Sequence, residues 1–179
     1  MQCNTNKLIQ IALNTGFTKA VFIKNLFLEC KPELRAYCNA KDCPNHGQNW
    51  VCPPGCGTLK ECEKKIRDFA QGLLVQSITS LTPPTELNTY KDLGTAHNLR
   101  FLRLIEAVRH DCRQFLPLTT GGCVLCKSCS YPEPCRKPDL KMESLSAFGI
   151  DVFALCQKAG LEYSFREDTL YLTALLLIK

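Results

Sequence analysis

Residues 169–178 read TLYLTALLLI. A run this apolar and this short, bounded by Glu167-Asp168, suits a central β-strand. Residues 161–166 are expected to form the other arm of a hairpin turning at that acidic pair. Further back, LLVQSITS at 73–80 reads as a buried strand and TKAVFIKNLFL at 18–28, β-branched and aromatic, as another. Helical spacing accounts for the intervals. Leu8, Ile9, Ala12 and Leu13 share one face of a helix over 5–15, ended by Gly16. Pro32 opens a short helical turn through Tyr37. Thr58-Leu-Lys-Glu61 has the form of a capping box and predicts a helix to about Gln71, stopping at Gly72. After Pro83-Pro84, the recurrence of Leu99, Leu102, Ile105, Val108 and Cys112 predicts a long helix over 86–115, ended by Pro117. A shorter helix starts near Asp151 and stops at Gly160. The fold class expected is α+β, a single domain over 1–179, with a sheet of about four strands, helices packed over it and two cysteine-rich loops at 38–56 and 123–138.

The composition narrows the function. Of 179 residues, 45% are hydrophobic, enough for a core. No apolar run approaches the roughly 18 residues of a membrane span, so no membrane association is expected. The N-terminal MQCNTNKLIQIALNTGF has neither a long apolar segment nor a small-residue cleavage site, and a cytoplasmic protein is expected. Thirteen cysteines would suit a disulfide scaffold in a secreted protein; in a reducing compartment, clustered cysteines are metal ligands or redox groups. Eight of them are clustered: Cys38, Cys43, Cys52 and Cys56, then Cys123, Cys126, Cys129 and Cys135. The other five, Cys3, Cys30, Cys62, Cys112 and Cys156, are read as small buried hydrophobes.

The second cluster lies in GGCVLCKSCSYPEPCRKP, residues 121–138. Three thiolates at Cys-x2-Cys-x2-Cys can ligate three irons of a cubane, with a fourth ligand from further along the chain. Cys135 follows after five residues, and the pattern leaves open whether it closes the same cubane or reaches another. Gly121 and Gly122 let backbone amides approach sulfur, Pro132, Pro134 and Pro138 stiffen the loop, and Lys127, Arg136, Lys137 and Lys141 can offset the charge of an anionic cluster. A structural zinc knuckle is the alternative, but it needs two Cys-x2-Cys pairs and not an overlapping triplet. The first cluster, CNAKDCPNHGQNWVCPPGC at 38–56, has spacings that no single metal demands. A loop of this length without regular structure is functional or disordered, and bound metal would order it. Trp50 can shield a cluster from water or anchor the core, and His46 can be a ligand or a solvated loop residue.

At these two loops the chain resembles a family of small prokaryotic predicted metal-binding proteins (domain-of-unknown-function family 2284). One signature, C-x4-C-P-x-Y-G-x2-W-x-C-P-P, is met by Cys38, Cys43, Pro44, Gly47, Trp50, Cys52, Pro53 and Pro54, with His46 in place of the tyrosine. The other is met by Gly121, Cys123, Leu125, Cys126, Cys129, Pro132, Cys135, Arg136 and Pro138. It continues through Met142, Glu143, Phe148-Gly149, Ile150, Asp151 and Val152. The resemblance implies metal binding and no particular reaction. Glu143 is read as a helix-start residue.

Three functions compete. The first is an iron–sulfur redox protein, with two [4Fe–4S] clusters held by the eight clustered cysteines, exchanging electrons with a redox enzyme or carrier protein; neither a nucleotide fingerprint nor a Ser-His-Asp set argues otherwise. The second is an iron–sulfur enzyme with an iron open to a small-molecule substrate, with His46, Arg136 and Glu143 as neighbours. The third is a zinc-stabilised binding module. Nucleic acid is disfavoured as a partner despite the +5 net charge, because Lys60, Lys64, Lys65 and Arg67 alternate with Glu61, Glu63 and Asp68.

Overall fold

The computed structural model describes residues 4–24, 27–112 and 114–179. Its elements are α1 (Thr5–Asn14), β1 (Lys19–Ile23), α2 (Pro32–Arg35), α3 (Leu59–Ile66), β2 (Gln71–Ser80), α4 (Leu87–Val108), β3 (Phe115–Thr119), β4 (Glu143–Ser144), α5 (Val152–Lys158) and β5 (Thr169–Ile178). They form an α+β fold around a five-stranded mixed sheet of order β1-β2-β5-β3-β4.

β5 is central, as its composition predicts. It runs antiparallel to β2 from Gln71↔Ile178 to Ser80↔Thr169, and antiparallel to β3 from Phe115↔Ile178 to Thr119↔Ala174. Both faces of the sheet are covered. Leu73, Val75, Ala174, Leu176 and Ile178 pack with Leu8 and Ala12 of α1 and Phe101, Leu104, Ile105 and Val108 of α4. Leu74, Leu118, Leu175 and Leu177 face the opposite way, toward Cys62 and Ile66 of α3, Leu155 and Cys156 of α5, and Leu145 and Phe148. A strand buried on both faces reads as a continuous apolar run instead of an alternating one.

The local signals at helix starts hold. Thr58 and Glu61 make the predicted capping box, and Asp151 caps α5 by accepting from the Ala154 amide at 2.9 Å. Five expectations are corrected. Residues 161–166 are irregular, and β2 and β3 occupy both flanks of β5. The long helix predicted to reach 115 ends at Val108, and β3, which was not expected, begins at Phe115. Pro117 does not exclude a strand there, because β4 pairs only with Leu118 and Thr119, leaving β3 an edge at the proline. The buried face of α4 is His97, Asn98, Phe101, Leu104, Ile105 and Val108; of the predicted positions Ile105, Val108 and Cys112 are buried, whereas Leu99 is 42% exposed. Gly72 lies within β2 and does not stop a helix: a methyl group there would sit 2.9 Å from the Leu176 carbonyl oxygen and 3.0 Å from Leu175 Cδ1. The predicted strand over 18–28 ends at Ile23, and residues 25–26 lie outside the described ones.

Cys30, Cys62 and Cys156 are buried free thiols, and Cys112 is buried but not a free thiol; Cys3 lies outside the described residues. Among the described residues no helix is long and apolar enough to cross a membrane.

Candidate metal centre

The topology creates the second cysteine loop. β3 and β4 are parallel neighbours, paired at Leu118↔Glu143 and Thr119↔Ser144. Parallel strands need a crossover of a dozen residues or more, and here residues 120–142 supply it with no α-helix and one 3-10 turn at Pro138–Leu140. Its start is fixed by Asn98 of α4. Asn98 donates to the carbonyls of Thr120 (3.2 Å) and Gly122 (3.3 Å), and accepts from Thr119 Oγ1 at 2.5 Å. Thr120 Oγ1 donates to the Thr173 carbonyl of β5 at 2.8 Å. Its far end is fixed by β4 itself and by the Leu145 amide on the Thr119 carbonyl (3.0 Å).

The first loop is folded by its own turns. Asn39 Oδ1 accepts from the amides of Lys41 (2.8 Å) and Asp42 (3.1 Å), the Cys43 amide donates to the Asn39 carbonyl, and Gly47 closes onto the Pro53 carbonyl at 2.7 Å. Asn49 Oδ1 accepts from the Val51 amide at 3.1 Å.

The two loops touch. Trp50 Nε1 donates to the Glu133 carbonyl at 2.8 Å, and the indole meets the Tyr131 ring edge-on at 5.1 Å. Gly55 is required at this seam, since a methyl group there would lie 2.5 Å from the Asn49 carbonyl oxygen and 3.0 Å from Tyr131 Cε2. Gly122 lies against Asn45 and Asn49. Trp50 belongs to neither apolar cluster of the core. With Val51 it lines a partly enclosed cavity together with Cys123, Leu125, Cys126, Cys129, Ser130, Cys135, Arg136, Lys137 and Lys141. All four cysteines expected in the second loop therefore share one cavity, and three of the four expected basic residues border it. Lys127 stands beside Cys126 on the adjacent surface. Burial pushes the Cys123 thiol up, opposed by the amides of Leu125 and Met142, which hydrogen-bond to its sulfur.

The first loop's thiols divide. Cys38, Cys43 and Cys52 lie within electrostatic reach of one another. Burial pushes Cys52 up to about 11, with Asn49 hydrogen-bonded to it. Cys56 instead hydrogen-bonds to Cys62, a residue read from sequence as filler. Cys62 is pulled below its ordinary value by that bond and by Arg35, whose Nη1 lies 3.5 Å from its sulfur. Arg35 also donates to the carbonyls of Gly57 (2.6 Å) and Ala147. No spacing rule flagged the pair; the signal would have been that Cys62 sits four residues after the capping threonine, on the inner face of α3.

Glu143 does not start a helix. It forms β4, is buried, and its Oε1 pairs with Lys65 and Lys141, each at 3.1 Å. Arg136 borders the thiol cavity; His46 and Glu143 do not line it. Among the described residues no three His, Cys, Asp or Glu side chains are grouped so as to hold a single metal ion.

No curated protein and no solved structure matches this chain. A family model described as predicted metal-binding protein (DUF2284) matches residues 5–178, almost the whole chain and both cysteine loops, and the protein belongs to that family.

Proposed function

We propose that the protein is an iron–sulfur redox protein that carries two [4Fe–4S] clusters and exchanges electrons with a redox enzyme or carrier protein in the cytoplasm. The observation that carries the reading is the single cavity lined by Cys123, Cys126, Cys129 and Cys135 and walled by Trp50 and Val51 of the other loop. Four thiols spread around a common space suit a cluster of several irons, whose thiolate ligands each take a different iron. These four residues would hold one cluster, and thiols of the 38–56 loop the other. Bound there, such a cluster supplies reversible one-electron transfer. The chain's own residues supply the setting. Trp50 and Val51 keep water from one side of the cavity, the Leu125 and Met142 amides stabilise charge on the Cys123 sulfur, and Arg136, Lys137 and Lys141 offset the anionic charge. Lys127, Arg136 and Lys137 are exposed beside Cys126 and would present a basic face to an acidic redox partner.

The test is anaerobic purification followed by an absorption spectrum and iron, sulfide and zinc analysis. A brown protein with about eight irons is expected. A colourless protein with stoichiometric zinc would overturn the proposal in favour of a zinc-stabilised module.

A further inference from the structure

We infer that the open cleft beside the start of β3 is a binding site for a small zwitterion, an amino acid or a close relative, whose ammonium group is received by Glu143 Oε2 and whose carboxylate is received by Arg109. The inference stands apart from the cluster reading above, since neither Glu143 nor Arg109 lines the thiol cavity.

The sheet creates the cleft by stopping short. β4 pairs with β3 only at Leu118 and Thr119, so Phe115, Leu116 and Pro117 have β5 on one side and, among the described residues, no strand on the other. That uncovered side opens on a cleft of about 720 Å³, a size that suits a small organic ligand. Arg109 lines it from the end of α4, Asp139 and Leu140 from the turn at Pro138–Leu140, and Glu143 from β4. The strand edge itself supplies acceptors. The Thr119 carbonyl points to the β4 side, where it takes the Leu145 amide at 3.0 Å. Strand alternation turns the carbonyls of Phe115 and Pro117 the same way, toward the cleft.

Glu143 is the second, independent observation. It is 2% exposed, and Lys65 and Lys141 both engage its Oε1, each at 3.1 Å. Its Oε2 is buried with no hydrogen-bond partner among the described residues. A buried carboxylate oxygen without a donor is costly, and a donor arriving through the cleft satisfies it. The charges around the cleft say what else that ligand carries. Asp68, Asp139 and Glu143 stand against Arg109, Lys141 and Lys179, so the lining is balanced. Asp68 and Lys179 answer each other at 3.1 Å, and Lys141 answers Glu143 Oε1. Among the described residues no ion pair engages Arg109 or Asp139. What is left for a ligand is one guanidinium, which suits a carboxylate, and a set of acceptors, Glu143 Oε2, the Asp139 carboxylate and the strand carbonyls, which suits an ammonium group. A bare cation would meet three basic side chains and a bare anion three acidic ones; a zwitterion answers both. Phe115, Leu116 and Leu140 give its side chain an apolar lining.

The experiment uses the full chain, isolated anaerobically, in isothermal titration calorimetry with each of the proteinogenic amino acids. At least one is expected to bind, one per chain, with a dissociation constant below about 1 mM. Arg109→Met and the methyl ester of that amino acid, which lacks the free carboxylate, should each weaken binding at least about tenfold. Glu143→Gln, which turns the open acceptor into an amide, should weaken it further. Should Glu143→Gln fail to fold, the N-acetyl form of the same amino acid tests that contact from the ligand side, since it lacks the ammonium group, and it too is expected to lose binding. No heat from any amino acid would overturn the inference, and so would binding that survives unchanged in Arg109→Met or with the N-acetyl form. An iron-free protein would overturn the cluster reading and leave this titration to be read as it stands.

Discussion

The two cysteine loops differ in what holds them. The second is a crossover with both ends anchored to neighbouring strands, and its four thiols surround one cavity. The first is a coil of turns that meets the second at Trp50 and Gly55; Cys38 and Cys43 are half-buried, Cys52 is buried and Cys56 joins the core. Regular spacing went with a common cavity, and irregular spacing went with division. A cysteine count therefore does not by itself say which thiols stand together, because a free thiol also packs as a small hydrophobe.

The sharpest way to break this comparison is Cys126→Ser. It is expected to abolish one cluster signal and leave the other, measured by electron paramagnetic resonance; loss of both signals would mean that the loops form a single site. Arg35→Ala should follow in size. The guanidinium joins Gly57, Ala147 and Cys62, so its removal is expected to cost about 4 kcal/mol in denaturant unfolding. It should speed alkylation of the buried Cys62, which becomes reachable as the fold opens, while sparing the second-loop cavity, which Arg35 does not line.

Acid should act on the other side of the sheet. His97 is 1% exposed, with Nδ1 2.9 Å from Ser77 Oγ, and burial together with the Arg100 charge pulls it down to about 4. Its ordinary value is near 6.5. Between these values the unfolded chain binds a proton that the folded chain refuses. The stabilisation is thus complete above pH 6.5 and is lost as the pH falls toward 4, on the order of 3 kcal/mol. Thermal unfolding across that range checks it, and His97→Gln should flatten the dependence. Asn98→Ala releases the start of the second loop and is expected to cost about 2 kcal/mol, with faster iron loss to a chelator from the second-loop cluster than from the first. Trp50→Phe, which removes the bond to Glu133, should cost about 1 kcal/mol and broaden both signals slightly; no change in either would detach the indole from the seam.

Much of this was legible in the chain. TLYLTALLLI announced a strand covered on both faces, and Thr58 with Glu61 announced a helix start to the residue. The spacing of the second loop's four cysteines pointed to one shared site, and the four line one cavity. What stayed hidden was hidden for physical reasons. FLPLT at 115–119 is five residues with a proline, following a helical pattern, and becomes a strand only because β5 and β4 flank it. Glu143 looked like a helix start because nothing nearby in sequence shows that Lys65, from α3, and Lys141 converge on its carboxylate. Cys62 looked inert because its partners, Arg35 and Cys56, come from separate segments. Local signals predict elements; pairings across the chain need the fold.

The shortness of β4 has one more consequence. Two residues give too few ladder bonds to hold an edge strand unaided, so the border of the sheet depends on the excursion that delivers it. Whatever rigidifies residues 120–142 also seals that border, and the amide of Leu145 becomes a native reporter: if the proposed cluster binds in the loop, its exchange with deuterated solvent should slow.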